Sequence, residues 1–222
     1  MVVAVSTSLP QYRALYSQAR ELGNYLLKKI EFKLIATVHS SCFSPEVQVG
    51  EDGMSSLPAC HFYLGGGQRQ LVLFCGDSSP MDEQYEFARF VLNYAKELGV
   101  GEVYSIGARW TESPLSPDVD PQPNGFATDR EGTARLEQQG VKLITEEASP
   151  FFASIIVGLA GDYGMRGYKL SVNHGEPSPH PRSVAKLLEV LSPLAGFEVP
   201  LDDLHAAARG APSQPGDGAI YH

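Results

Sequence analysis

The sequence predicts an α/β protein built on a mostly parallel sheet flanked by helices. Three observations predict it. Segments of strand and helix character alternate along the chain, the pattern of βαβ units. Leu71–Cys75 is a continuous apolar run of the kind buried on both faces of a parallel sheet. Between such runs, apolar residues recur at spacings of three and four, as on an amphipathic helix.

Val2 to Ser6 is a short apolar run bounded by Pro10, and Leu15, Ala19, Leu22, Leu26 and Ile30 follow at helical spacing. Phe32 to Val38 is β-rich and runs into the Ser40-Ser41-Cys42 loop. Val47–Val49 and Cys60–Leu64 read as a hairpin-like pair around the turn signals Gly53 and Pro58. Gly65-Gly66-Gly67 then turns tightly into Leu71–Cys75. Ser79 has the character of a helix N-cap, with Pro80 at the first helical position and Asp82 and Glu83 in the first turn. That helix is expected to turn Phe87, Phe90, Val91, Tyr94 and Leu98 inward and to stop at Gly99.

Glu102–Ile106 is the next strand. From Thr111 to Asn124 the chain carries Pro114, Pro117, Pro121 and Pro123, which predicts a long irregular excursion. Asp129 caps a helix through Leu136 that ends near Gly140, and Val141–Thr145 is a strand. Ser149-Pro150 opens a helix through Phe151, Ile155, Ile156 and Leu159, closed by Gly164. Tyr168–Val172 is the last clear strand, followed by helices over Ser183–Leu191 and Leu201–Ala208. Residues 1–208 form one domain. Residues 209–222 form a flexible tail, since Arg209–Ala219 reads RGAPSQPGDGA without a large apolar side chain.

The 222 residues are 43% hydrophobic and 19% charged, which excludes a disordered or low-complexity chain. A net charge of −9 repels phosphate backbones and anionic lipid, so neither nucleic acid nor a membrane surface is expected as a partner. Apolar stretches such as Phe151–Ala160 fall short of the ~20 residues that cross a bilayer. Met1–Ser6 lacks the basic leader of a secretory signal. Cys42, Cys60 and Cys75 are odd in number and widely spaced, so a disulfide framework or zinc site is not indicated. The expected location is the cytoplasm.

Open α/β sheets place their sites beyond the carboxyl ends of the strands, and three segments there are polar. Gly76-Asp77-Ser78-Ser79 could make the next helix N-terminus an anion cradle, with Ser78 or Ser79 as nucleophile. Its sequence matches neither GxSxG nor a Walker loop, so a turn at Asp77 and a cap at Ser79 is the preferred reading. In Gly107-Ala108-Arg109-Trp110-Thr111-Glu112, Arg109 could clamp a phosphate or carboxylate and Trp110 could stack on a ring; the plainer reading is an anchor for the long loop. His174, Glu176 and His180 could ligate a metal in principle, but Pro177, Pro179 and Pro181 extend the segment and the helical HExxH spacing is missing. No metal and no cofactor is expected. Gly158, Gly161, Gly164 and Gly167 recur every third residue, which close helix packing and a helix stop explain.

The order of these segments resembles the proteasome assembly chaperone family. The carriers are the strand into Gly76-Asp77, the helix ending Glu97-Leu98-Gly99-Val100 and the strand reaching Ile106-Gly107. Gly125-Phe126-Ala127-Thr128-Asp129 resembles the family's Gly-x-Ala-Thr-Asp segment. The helix Phe151–Tyr163, Gly164, Arg166-Gly167 and the strand Tyr168–Val172 match its C-terminal half. The resemblance covers residues 70–205. Ser6-Thr7-Ser8-Leu9-Pro10 departs from the Gly-Trp-x-Asp-x-Gly turn of many relatives, so no N-terminal function carries over.

The resemblance implies a three-layer αβα fold akin to purine nucleoside phosphorylases and a non-catalytic partner of proteasomes. Some relatives carry a terminal hydrophobic–tyrosine–any-residue (HbYX) motif that docks between α subunits of the core particle, and Ile220-Tyr221-His222 fits it. The phosphorylase-like fold also implies an alternative, an enzyme acting on a small polar substrate. There Asp77, Ser78, Arg109, Asp129, His174 and Glu176 would converge above the sheet, with His174 as general acid or base and Arg109 as anion clamp. Self-association is expected, a trimer foremost, through the Thr111–Asn124 loop with Trp110, Leu115 and Phe126 as anchors.

Overall fold

A computed structural model describes residues 1–6, 13–66, 70–110, 120–145, 151–174 and 181–210; for residues 13–17, 108–110, 173, 174 and 210 it describes the backbone alone. The chain runs β1 (Val2–Val5), α1 (Arg13–Lys29), β2 (Phe32–Val38), β3 (Gln48–Val49), β4 (Ser55–Ser56), β5 (Cys60–Gly65) and β6 (Leu71–Gly76). It continues with α2 (Gln84–Glu97), β7 (Glu102–Trp110), β8 (Pro123–Ala127), α3 (Arg130–Gln138), β9 (Lys142–Leu143), α4 (Phe152–Ala160), β10 (Arg166–His174), α5 (Pro181–Ala195) and α6 (Asp202–Gly210).

Eight strands form one sheet in the order β2-β5-β6-β1-β7-β10-β8-β9. The four central strands β6, β1, β7 and β10 are parallel, and antiparallel pairs β2–β5, β5–β6 and β8–β10 frame them. Strand alternation divides the core. Val3, Val5, Val72, Phe74 and Val103 meet Phe87, Val91, Phe152 and Ile156 of α2 and α4. Val2, Ala4, Leu73, Tyr104, Ile106, Leu170 and Val172 meet Ala19, Leu22 and Leu26 of α1, Leu136 of α3 and Val184–Leu194 of α5. The result is the expected three-layer αβα sandwich with a mixed, mostly parallel sheet.

Several local expectations give way to long-range contacts. β5 does not pair with the Val47–Val49 segment; it lies between β2 and β6, antiparallel to both, while β3 pairs only with β4. Ser79 is not a helix cap. The Met81 amide is bonded to the Cys42 carbonyl at 2.7 Å, and the chain stays non-helical until Gln84. The helix is entered through Glu83 at φ 47°, a left-handed conformation that strains a residue bearing Cβ. Phe90, expected inward, is 52% exposed; Phe87, Ala88, Val91, Leu92 and Ala95 form the buried stripe. The proline-rich stretch ends earlier than expected, since Pro123 opens β8 opposite Val172 of β10. A proline at a strand's first residue forfeits no ladder bond.

Other expectations are matched. Asp129 caps α3, its Oδ1 accepting from the Gly132 amide at 2.6 Å. Gly164 takes φ +73° beyond the short 3-10 turn Gly161–Tyr163 that follows α4. Of the four glycines spaced by three, Gly167 is the one against which a helix packs closely: a Cβ there would fall 2.6 Å from the Val157 carbonyl, whereas Gly158 and Gly161 face open space. α6 continues to Gly210, past the expected end of the domain.

The amino ends of the central strands carry a charged network. Arg135 pairs with Glu102 and also donates to the Tyr168 hydroxyl at 2.6 Å and the Leu194 carbonyl at 2.8 Å. The Tyr104 hydroxyl lies 2.7 Å from Glu102, and the Tyr104 and Tyr168 rings stack at 4.7 Å. Burial pushes the Glu102 carboxyl up, but hydrogen bonds from Tyr104 and Arg135 outweigh it and hold the group below its ordinary value. A carboxyl depressed by folding stabilises the fold above its ordinary range and loses that contribution as pH falls through the folded value. Chemical denaturation between pH 6 and pH 3 should therefore show stability falling more steeply in the native protein than in Glu102→Gln. Parallel pH profiles would remove Glu102 as the cause.

Candidate functional site

The carboxyl ends of β1, β6, β7 and β10 lie along one edge of the sheet, the place where parallel α/β sheets hold ligands. Ser6 follows β1, and its amide donates to the Gly76 carbonyl at 2.9 Å. Asp77 follows β6; its Oδ1 lies 3.6 Å from Arg20 Nε and 3.5 Å from Ser6 Oγ. Both partners of the Asp77–Arg20 pair are about half exposed, so solvent screens it and it fixes orientation more than stability. Ser78 is buried, and its Oγ has no hydrogen-bond partner among the described residues.

The backbone register sets the other candidates. Arg109 stands opposite Asn173, and Trp110 opposite His174, so Arg109 and His174 are offset by one position along paired strands. Glu176, Leu115, Ile220, Tyr221 and His222 lie outside the described residues. Asp129 does not converge with the others. Its Oδ2 accepts from Arg166 Nε at 2.7 Å, and Arg166 opens β10 whereas His174 closes it. Nine extended residues put those ends roughly 26 Å apart at ~3.3 Å per residue. Phe126 is half-buried and packs against the core on the α2–α4 side, so part of its ring is engaged within the chain.

Beside Asp77 opens a groove of about 520 Å³ lined by Thr37, His39, Gln48, Ser56, His61 and others. The sequence reading passed over both histidines: His39 lies just beyond the edge strand β2, and His61 on its neighbour β5. His39 Nδ1 lies 3.1 Å from the Pro58 carbonyl, and a carbonyl only accepts, so that nitrogen carries the proton. His61 Nδ1 lies 3.1 Å from Thr37 Oγ1. Burial, and then His39, lowers the His61 pKa, which leaves its ring neutral at pH 7. A neutral imidazole can act as a base; the hydroxyl bonded to it is that of Thr37, while Ser78 Oγ has no hydrogen-bond partner among the described residues. Among these residues no group of three or more His, Cys, Asp or Glu is placed to hold a metal ion, and no helix is long and apolar enough to cross a membrane.

All three cysteines are buried and free. Burial pushes the Cys60 thiol up strongly and raises that of Cys75 to about 12. Such thiols stay protonated at neutral pH and are poor nucleophiles. Ellman's reagent at pH 8 should therefore modify Cys60 and Cys75 only after denaturation; fast labelling of either in the native state would contradict their burial.

This is an α/β sandwich whose parallel strand ends carry polar groups, Ser6, Asp77 and Ser78 among them. The chain belongs to the PAC2 family, whose model matches residues 19–213. Solved structures share the fold. The Pyrococcus furiosus proteasome activator PbaB superposes with a TM-score of 0.79 at 16% identity, covering 94% of this chain and 88% of that one. A Mycobacterium tuberculosis proteasome-assembly chaperone homologue gives 0.76 at 20% identity over 94% and 91% of the two chains. PbaA of Pyrococcus furiosus, an archaeal homologue of proteasome-assembly chaperone, gives 0.73 at 22% identity over 94% and 82%. No curated protein matches this chain.

Proposed function

We propose that this protein is a non-catalytic, proteasome-associated factor, an assembly chaperone or activator, that docks on α subunits of the core particle through Ile220-Tyr221-His222. The observation that carries the reading is the PAC2 match over residues 19–213, joined to a hydrophobic–tyrosine–any-residue triplet in the tail. Ile220 supplies apolar area to bury and Tyr221 a ring with a hydroxyl. Nine residues, Ala211–Ala219, separate the triplet from the end of α6. A flexible coil of that length would span roughly 16 Å, enough reach for the triplet to enter a pocket while the domain stays outside.

Two arms test the reading and separate its forms. A chaperone retains free α subunits on a pull-down and releases them as the particle matures. An activator binds the assembled particle and raises its hydrolysis of short peptides. Binding to neither at micromolar concentration overturns the proposal. The reading includes self-association, a trimer foremost, with Trp110, Leu115 and Phe126 as anchors. Light scattering should return a multiple of the monomer mass, and Trp110→Ala should lower it; a monomer at high concentration refutes self-association.

A further inference from the structure

The β3–β4 hairpin is built inside out. Gln48 and Ser56 are cross-strand partners, so their side chains share one face, and both line the groove beside Asp77. Val47 and Val49 alternate with Gln48 and stand 59% and 68% exposed. A hairpin that merely covered the sheet would bury its valines and leave the amide and hydroxyl in water. Here the polar face is turned in, over a space of about 520 Å³ whose other walls carry polar groups too.

Thr37, His39, His61 and Asp77 meet the hairpin across that space, at the edge of the sheet where β2 and β6 end. His39 engages Nδ1 with the Pro58 carbonyl and His61 engages Nδ1 with the Thr37 hydroxyl, which leaves Nε2 of both rings for a ligand. The Thr37 hydroxyl can donate to His61 or accept from it, so His61 offers Nε2 as either donor or acceptor. Asp77 turns Oδ1 toward Arg20 and Ser6, and its Oδ2 accepts no hydrogen bond among the described residues.

We propose that this groove binds a neutral polyhydroxylated molecule, of the class of a sugar or cyclitol. Each such hydroxyl both donates and accepts, which matches a lining that mixes an acceptor-only carboxylate with imidazoles, an amide and hydroxyls. Charge selects against ions. Asp77 and Arg20 already form a pair 3.6 Å apart, so an anion meets the carboxylate and a cation meets the guanidinium. Leu57 and Ala59 complete the wall with apolar surface for the C–H face of a ring, and the volume lies in the range of small-molecule sites. The site is independent of the tail and of any proteasome contact.

Calorimetry and NMR on the full chain test this with D-glucose, D-galactose, D-mannose and myo-inositol as neutral probes. D-glucosamine and D-glucuronate serve as charged rings of like size. At least one neutral probe should saturate at millimolar concentration and shift the His39 and His61 ring resonances. Both charged rings should bind at least about threefold more weakly than the best neutral one. Asp77→Asn keeps the shape and removes the charged acceptor, so it should weaken binding about tenfold. Gln48→Ala should weaken it several-fold. Neither side chain belongs to the buried core, so both variants should keep the parent's melting temperature. Three results overturn the proposal: no neutral probe saturates, a charged ring binds as tightly as the best neutral one, or both variants bind as the parent does.

Discussion

Replacing Phe74 with Ala should lower the unfolding free energy by about 3–5 kcal/mol. Phe74 is fully buried in β6, and its ring centre lies 4.4 Å from that of Phe62 and 6.3 Å from that of Phe87. Removing it opens a cavity between the central sheet and α2, where Phe87 in turn meets Phe43 and Phe152. Rings locked at both ends of such a chain cannot collapse into the gap without losing contacts of their own. Urea titration should show the midpoint falling with an unchanged slope. Phe90→Ala is the control: with half its surface in solvent it should cost under about 1 kcal/mol. A loss below about 1 kcal/mol for Phe74→Ala would contradict the packing described.

Replacing Tyr221 with Ala should weaken association with the core particle by about ten- to a hundredfold, leaving the melting temperature where it was. Buried aromatic anchors at interfaces carry about 2 kcal/mol or more each. Tyr221→Phe keeps the ring and removes the hydroxyl, so it should fall between the two. A melting temperature that drops with Tyr221→Ala would assign the tyrosine to the fold instead of the partner.

What the sequence made legible follows from the range of the forces involved. The stripe Ala19, Leu22, Leu26, the continuous run of β6 and the Asp129 cap are local signals, and each stands in the structure as read. Ser79-Pro80 is an equally good local signal that loses to a single long-range bond, Met81 N to Cys42 O. The partner of β5 was not legible because β2 and β6 flank it from opposite sides in sequence, and no local rule chooses between them and β3. β8 was hidden by the prolines that also mark its start. At the site, strand ends could be named, but not their distance along the strand, which is why Asp129 was grouped with His174.

The account rests on the tail acting as the docking element of a proteasome-associated domain. The most direct measurement is a fluorescence-anisotropy titration of the labelled full chain, and of a chain truncated after Ala219, against an assembled core particle at fixed salt. The account predicts saturable binding at micromolar concentration or tighter for the full chain and at least tenfold weaker binding for the truncated one. Equal affinity of the two, or no binding of either, would contradict it.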